Sequence, residues 1–268
     1  MEAALHFARR GWPVFPCNRA NKKPLVPRDL DANGDPIKGT GGLNKATTDE
    51  AQIREWWGKW SLAMIGVAVG RANMLVIDFD PRVELRTEDQ TDEATGEITA
   101  VEVREEWTLD QLKGQVEDMI GCALPVSLAV RTPSGGVHVY YRMPAGEPIG
   151  NKGSLPRHVD VRGLGGYTIV PPSICIGDAK NAAGDYHWLR GDADAPIADL
   201  PASLVEILRA PNPPAARDQS EAVMPASRSL MFTPDVDDAQ RRYAMRALDE
   251  EMREARGDAD RRRTLERP

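Results

Sequence analysis

The chain has 268 residues, of which 41% are hydrophobic and 28% are charged, and its formal net charge is −7. This composition fits one large or two modest globular domains, and no stretch is apolar enough to predict a membrane span. The cysteines Cys17, Cys122 and Cys175 are scattered without CxxC spacing, which argues against a disulfide framework and a structural zinc site. The first residues lack the order of a signal peptide, so we expect a cytoplasmic protein.

The first part of the chain predicts a small α/β unit. We expect a helix at 2–10, a short strand at 12–16 and a long loop at 18–46 that is rich in Asn, Lys, Gly and Pro. A second helix is predicted to begin with a cap at Thr47 or Thr48. Its tryptophans fall at helical spacing, which favours a place in the core over base stacking.

The second part of the chain predicts more strands than helices. The predicted elements are strands at 65–70 and 75–79 joined by a short turn, a helix at 106–120, hairpin strands at 127–131 and 137–142, and a strand at 167–170. This order indicates the α+β class and is compatible with a ferredoxin-like or RNA-recognition-motif-like (RRM-like) antiparallel sheet.

Charge is unevenly distributed along the chain. Residues 82–118 contain twelve acidic and four basic side chains, and this segment is predicted to be a mobile insertion or an exposed helix. Residues 1–28 contain six basic side chains and one acidic one. A polyanionic partner is therefore compatible with the negative total, because local potential decides binding.

Asp78 and Asp80 end an apolar run that begins at Met74 and is typical of a buried strand. Side chains at positions i and i+2 of a strand lie on the same face. Two carboxylates held together repel each other, so the pair makes chemical sense around a divalent cation such as Mg²⁺ or Mn²⁺. A turn in which both carboxylates cap the backbone explains the pair equally well when it is taken alone.

A glycine-containing turn connects the two strands of the predicted hairpin. Gly135 and Gly136 would let backbone N–H groups approach phosphate oxygens, with Ser134 as an additional donor. His138 follows the turn, where its imidazole could contact a phosphate. An ordinary hairpin turn followed by a hydrogen-bonded histidine explains the same residues.

A third group of polar residues lies around Asp160, which ends an extended segment. Asp160 could supply a third carboxylate to a metal site. Arg162, two residues later on the same face, could neutralise phosphate. A surface ion pair between the two residues is the alternative interpretation.

The three groups, in this order, resemble the bifunctional primase-polymerase (Prim-Pol) branch of the archaeo-eukaryotic primase superfamily. The shared pattern is DxD, then SGGxH, then hDxRGxGGYxxxPPS, and the similarity extends from about Ala3 to about Leu200. Further similar segments are Ala8–Pro16, Lys22–Leu25, Lys45–Asp49, Ile65–Gly70 and Gly166–Ser173, with Tyr186 and Trp188 beyond. No single segment is decisive, whereas the ordered set is specific.

The resemblance implies a role for each candidate residue. Asp78, Asp80 and Asp160 would bind two divalent ions, Mg²⁺ or Mn²⁺. His138 would complete the catalytic set. The nucleotide-binding residues would be Arg131, Ser134, Gly135, Gly136, His138 and Arg162. The implied partners are a single-stranded DNA template, a primer-template and dNTP or NTP, and no structural zinc or membrane is expected.

The resemblance also implies a domain organisation. Residues 1–209 would form the catalytic domain, with an N-terminal α/β unit packed on the RRM-like sheet in an archaeo-eukaryotic primase fold. A linker at 210–234 and a charged helical segment at 235–268 would follow. In this family such a segment often starts a helix bundle, and a helicase often follows in phage and plasmid replication proteins of bacterial hosts. An exposed helix in a truncated chain is an equal alternative.

Two other functions remain open from the sequence. A DxD after an apolar strand also opens phosphatases of the haloacid dehalogenase type, although Pro81 and Arg82 depart from their pattern. A non-catalytic RRM-like module would fit the sheet pattern, but such modules stack bases on exposed strand aromatics where this chain has carboxylates.

Overall fold

The computed structural model of the chain describes residues 1–91, 98–153 and 155–210. These residues belong to one compact unit, Met1–Pro214. The predicted helical segment at 235–268 lies outside the described residues, as does the predicted linker at 210–234 beyond its first residue. No helix in the described ranges is long and apolar enough to cross a membrane.

The described part of the chain contains four helices and thirteen strands. The helices are α1 (Glu2–Arg9), α2 (Glu50–Lys59), α3 (Leu109–Ile120) and α4 (Ala202–Arg209). The strands are β1 (Val14–Cys17), β2 (Met64–Val67), β3 (Met74–Phe79), β4 (Arg82–Thr91), β5 (Ile98–Trp107), β6 (Ala129–Arg131), β7 (Val137–Arg142), β8 (Val159–Arg162), β9 (Thr168–Val170), β10 (Ile174–Cys175), β11 (Gly184–Asp185), β12 (His187–Arg190) and β13 (Ala198–Asp199). Short 3₁₀ turns lie at Gly42–Lys45 and Val69–Ala72.

The start of α2 differs from the prediction by one residue. The Asp49 side chain accepts hydrogen bonds from the amides of Ala51 (2.8 Å) and Gln52 (3.1 Å) and is therefore the helix cap. The predicted cap at Thr47 or Thr48 is wrong. The Thr47 hydroxyl instead accepts a hydrogen bond from the Asp49 amide at 3.0 Å, which fixes the turn that leads into the helix.

Two sheets organise the fold. The first is antiparallel, with the order β1-β2-β9. The second has the order β12-β6-β7-β3-β8 with antiparallel pairing, and β13 pairs with β7 in parallel. The predicted strands at 65–70 and 75–79 both form, but they belong to different sheets, because the turn at Val69–Ala72 carries the chain from one sheet to the other.

A hydrophobic cluster covers each face of the six-stranded sheet. Met74 and Val76 of β3 belong to the first cluster, which also contains residues of α1, β1, α2, β2 and β9. Leu75, which lies between them, belongs to the second cluster, formed with α3 and α4. Trp56 and Trp57 of α2 are buried in the first cluster, which confirms the prediction that they are core residues.

The acidic segment at 82–118 begins as a β-ribbon, which the sequence did not predict, whereas its second part is helical from Leu109 and its mobility stays a prediction. β4 and β5, which we call the arm, pair from Arg82 opposite Trp107 to Thr91 opposite Ile98. Nearly all arm residues are exposed. Their β-branched residues alternate with charged ones, and this period of two favours a strand over a helix despite the high charge.

The helix predicted at 106–120 forms with a later start. Residues 106–107 belong to β5, and α3 begins after Thr108, whose hydroxyl accepts a hydrogen bond from the Gln111 amide at 3.3 Å. The Gln111 side chain in turn accepts from the Thr108 amide at 2.8 Å, which completes a capping box. The molecule is thus an α+β protein with mainly antiparallel sheets, as the sequence predicts, while the RRM-like packing remains a prediction.

Candidate functional site

Three candidate side chains form a row across neighbouring strands of the six-stranded sheet. Asp78 on β3 lies directly opposite His138 on β7 and directly opposite Asp160 on β8. Since Asp78 alternates with the second-cluster residues Ile77 and Phe79, it points to the same face as Val76. The row therefore lies on the face that carries the first cluster, at the end of β3 where apolar packing gives way to polar residues.

A polar cavity of about 370 Å³ opens beside this row. Its walls come from the six-stranded sheet, from β9, from the loop that follows β1 and from the segments on either side of β8. The lining residues are Lys22, Asp78, Asp80, Thr132, Ser134, His138, Asn151, Arg162, Gly165, Gly166, Tyr167, Thr168, Ile169 and Tyr186. Asp78, Asp80, Ser134, His138 and Arg162 are thus brought together as the sequence predicts.

Arginine side chains contact all three candidate carboxylates. Arg162 Nη2 lies 2.9 Å from Asp160 Oδ2 and 3.5 Å from Asp78 Oδ2, so one guanidinium bridges the two facing carboxylates. Arg82, at the base of the arm, forms an ion pair with Asp80. Asp160 does not line the cavity, and it is joined to the cavity through Arg162.

His138 is a buried residue whose imidazole contacts the first carboxylate. Its Nε2 lies 3.4 Å from Asp78 Oδ1, and its ring packs against Tyr186 at 6.3 Å between centroids. Burial lowers the pKa of His138 below the ordinary histidine value, while the nearby carboxylate of Asp78 acts in the opposite direction. The buried Nδ1 has no hydrogen-bond partner among the described residues. We therefore take the imidazole to be neutral near pH 7.

The glycine-containing turn presents a pair of hydroxyl groups to the cavity, and the amide of its first glycine is engaged within the turn. The hydroxyls of Thr132 and Ser134 lie 3.0 Å apart, and both residues line the cavity. Gly135 has φ 87°, and its amide donates to the Thr132 carbonyl at 3.0 Å. A Cβ at Gly136 would lie 2.9 Å from the Phe79 carbonyl oxygen, so this glycine permits close packing on β3.

Three predicted nucleotide-binding residues lie outside the cavity lining: Arg131, Gly135 and Gly136. The Arg131 guanidinium donates to the Gly135 carbonyl at 3.4 Å, which stabilises the turn from outside. The Gly135 amide is engaged within the turn, so its predicted approach to a phosphate would require that hydrogen bond to open. The turn positions Ser134 and Thr132.

Several cavity residues had no predicted role. Lys22, Tyr167 and Tyr186 lie in segments that carry the family resemblance, but no pattern in the sequence indicated their function. Asn151 lies on an irregular segment, and its side chain accepts a hydrogen bond from the Gly163 amide at 3.0 Å. Sequence spacing could not indicate this contact, since the two residues meet only through the folding of the β7–β8 connection.

The carboxylates have the chemistry of a divalent-ion site but are not gathered into one. Within the described ranges, no group of three or more His, Cys, Asp or Glu side chains is placed to hold a metal ion. Carboxylate oxygens are nevertheless the ligands that Mg²⁺ and Mn²⁺ prefer. The Arg162 guanidinium lies between Asp78 and Asp160, where it neutralises their charge as a divalent cation would. The donor set therefore fits such ions.

Carboxylates, Lys22, Arg162 and hydroxyl groups line one polar cavity on an α+β scaffold. Residues 4–203 match the family model of Prim-Pol, described as bifunctional DNA primase/polymerase, N-terminal. The chain belongs to this family, which confirms the resemblance seen in the sequence and indicates DNA primase/polymerase activity. A comparison with curated proteins gave no match.

Proposed function

We propose that the chain catalyses template-directed nucleotidyl transfer, in which the 3′-hydroxyl of a primer attacks the α-phosphate of a nucleotide and releases pyrophosphate. The observation that carries this proposal is the row of Asp78, His138 and Asp160 across three adjacent strands beside the polar cavity. It supports primer synthesis or extension within the family to which the chain belongs.

The three carboxylates are proposed to hold the ions. Asp78 and Asp80 point to one face of β3 and its extension, and Asp160 faces Asp78 from β8. When bound, two divalent ions would activate the attacking hydroxyl and stabilise the leaving pyrophosphate. Arg162 and Arg82 compensate the charge of these carboxylates, and both guanidinium groups would be free to bind phosphate when the carboxylates hold ions instead.

The remaining site residues are proposed to bind the nucleotide. Arg162, released from the carboxylates, would reach a phosphate oxygen, because a guanidinium binds carboxylate and phosphate with the same donor geometry. Neutral His138 would donate one N–H to the triphosphate. Ser134 and Thr132 would add hydroxyl donors. Arg131, Gly135 and Gly136 would act by holding the turn that presents these hydroxyls.

Two competing functions are less well supported. An RRM-like binding module needs exposed strand aromatics, whereas Tyr140 and Tyr141, the aromatic residues of the central strand β7, are buried. A phosphatase of the haloacid dehalogenase type would use the same Asp78 and Asp80, but family membership favours transfer to a primer. A phage or plasmid origin, a cytoplasmic location in the host and a following helicase domain remain predictions of the resemblance.

Primer extension tests the proposal. The wild type should extend a labelled primer-template with dNTPs in Mg²⁺ or Mn²⁺, and Asp78→Asn should reduce the rate by about 100-fold or more because it removes a charge that the reaction needs. Asp199→Asn is the matched control, since Asp199 is an exposed carboxylate paired with Arg142 outside the cavity. Hydrolysis of p-nitrophenyl phosphate that depends on Asp78, without any extension, would instead support the phosphatase.

A further inference from the structure

Lys22 has a backbone conformation that its side chain disfavours. Its φ is 63°, in the left-handed region, which few residues other than glycine adopt because the Cβ crowds the backbone there. Glycine or asparagine would fit this position with less strain. A long cationic side chain at a strained backbone position suggests that this side chain has a function, and that the function compensates the cost of the strain.

The surrounding turn fixes this conformation from several sides. The Asn18 amide donates to the Lys23 carbonyl at 2.8 Å, and the Lys22 amide donates to the Asn18 carbonyl at 3.0 Å. The Asn18 side chain accepts a hydrogen bond from the Ala20 amide at 2.8 Å. The Tyr167 hydroxyl, on the cavity wall, donates to the Lys22 carbonyl at 3.2 Å. The backbone of Lys22 is thus anchored to the site itself.

The Lys22 side chain lines the cavity that contains Asp78 and His138. Its Nζ lies 5.9 Å from the centroid of the Tyr186 ring. This distance is at the outer limit of a cation–π interaction, so the aromatic contact alone is too weak to account for the strain. The ammonium is presented to the cavity across the face of an aromatic ring.

The carboxylates of the site do not neutralise this ammonium. Asp80 is paired with Arg82, and Asp78 and Asp160 are bridged by Arg162. Lys22 forms no ion pair with any carboxylate in the part of the chain that the structure describes. It is therefore a cation of the cavity that is available to an anionic ligand before any arginine has to move.

We propose that Lys22 binds the triphosphate of the incoming nucleotide, an inference that rests on the proposed function. The ammonium shares the cavity with the hydroxyls of Ser134 and Thr132, and ammonium and hydroxyl groups are the donors that recognise phosphate oxygens. Because Lys22 has no ion pair among the described residues, it can contact the polyphosphate without breaking one, whereas Arg162 would first have to leave Asp78 and Asp160.

Nucleotide binding without primer-template tests this role. Fluorescent N-methylanthraniloyl-dATP and the corresponding monophosphate are titrated against each protein in Mg²⁺. Lys22→Gln, which keeps a polar side chain one atom shorter than lysine but removes its charge, should weaken triphosphate binding about tenfold or more, as expected for a lost charge-assisted contact. Monophosphate binding should change less than about threefold, since fewer phosphate oxygens reach the ammonium.

Two further variants separate binding from folding. Lys23→Gln removes the same charge from the neighbouring residue, which lines a different cavity in the 23–44 loop, and it should leave both affinities unchanged. Lys22→Gly should relieve the left-handed strain, so its Tm should equal or exceed that of the wild type while triphosphate binding is lost. A purely structural role for Lys22 would give wild-type affinity in this variant.

The outcomes distinguish this inference from the proposed function. Triphosphate affinity within twofold of wild type in Lys22→Gln, with normal wild-type binding, overturns the role of Lys22 alone. Equal losses for triphosphate and monophosphate also overturn it, because they place the contact near the base or sugar. A folded wild type that binds no triphosphate in Mg²⁺ overturns the proposed function together with the inference.

Discussion

Asp78 and Asp160 are like charges that face each other directly across an antiparallel strand pair, an arrangement that destabilises a sheet unless a cation compensates it. Arg162 supplies that cation through its contacts of 2.9 and 3.5 Å. The same guanidinium must leave the carboxylates if they are to bind divalent ions. The residue therefore links the stability of the sheet edge to ion binding, and the two effects can be measured separately from catalysis.

Replacing Arg162 with alanine should increase the effect of divalent ions on stability. Loss of these partly exposed ion pairs should cost up to about 1 kcal/mol without ions, or about 2–4 °C in Tm. Mn²⁺ should then raise the Tm of Arg162→Ala by more than that of the wild type, because the ion no longer competes with an arginine. Differential scanning calorimetry with EDTA and with Mn²⁺ measures both effects.

A matched variant shows whether the response belongs to the site. Arg142→Ala breaks the pair between Arg142 and Asp199, whose contacts are 2.6 and 2.8 Å but which does not line the cavity. It should show the same Mn²⁺ response as the wild type. Equal Mn²⁺ shifts in Arg162→Ala and the wild type would mean that the arginine does not compete with the ion.

The site residues that sequence could identify are those with a local pattern. Asp78 and Asp80 follow an apolar strand at a spacing that fixes their common face, and His138 follows a glycine-containing turn. The contacts of Lys22 with Tyr167 and Tyr186 join residues more than 140 positions apart. No periodicity in the sequence predicts such a contact, because the contact depends on how the loop before α2 packs against β9.

At the scale of the element, the contacts of the arm with the site that the described residues show lie at its base. Arg157 pairs with Glu84 of β4 and lies 3.8 Å from Glu105 of β5. Trp107 packs edge-on against His158 with 5.4 Å between ring centroids. The His158 carbonyl also accepts a hydrogen bond from the Asp80 amide at 3.0 Å. The turn that contains Arg157 and His158 therefore contacts both the base of the arm and the backbone of Asp80.

Shortening the arm should leave the stability of the molecule unchanged, whereas changing its base should not. Replacing 88–101 by Asn-Gly joins the facing pair Thr87 and Glu102 through a two-residue turn, and stability should change by less than about 0.5 kcal/mol because this ribbon is exposed. Trp107→Ala should cost about 2 kcal/mol or more, since the ring packs on the second cluster. Denaturation in urea measures both values.

The same experiment can contradict this account of the arm. A large loss of stability in the shortened protein would mean that the outer ribbon packs against another part of the molecule. The ribbon itself shows why its strands were missed: the charge of the segment suggested a mobile or helical element, whereas alternation of residues such as Val83 and Leu85 with charged neighbours specifies paired strands. Charge indicates exposure, and periodicity indicates the type of element.

At the scale of the whole molecule, the six-stranded sheet is the element that both hydrophobic clusters share. Its β3 strand contributes alternate residues to each cluster, so the N-terminal unit on one face and α3 with α4 on the other depend on the same strand. The strands that form this sheet were largely predictable from alternation and turn residues. Their distribution between two sheets was not, because the order of strands is set by long-range pairing that no local pattern encodes.

The contribution of the second cluster to the stability of the sheet can be tested at α4, because this helix lies at the end of the compact unit. Leu204 and Leu208 are fully buried in the second cluster, and Arg209 Nη2 donates to the Glu147 carbonyl at 3.3 Å. A fragment of residues 1–214 keeps both leucines and should therefore fold and unfold in one transition. A fragment of residues 1–200 removes both leucines, each worth about 2–5 kcal/mol as a truncation to alanine, and should not fold stably.

Calorimetry and circular dichroism measure the stability of the two fragments. The control is Leu204→Ala/Leu208→Ala in the 1–214 fragment, which removes the same side chains while keeping the chain length constant. The double variant should lose several kcal/mol, close to the loss in the shorter fragment, because both remove the same packing from beneath the sheet. A stable 1–200 fragment with wild-type Tm would show that α4 is an appendage. In that case α3, with Leu124, Ile149 and Leu155, would suffice to cover this face of the sheet that carries the site.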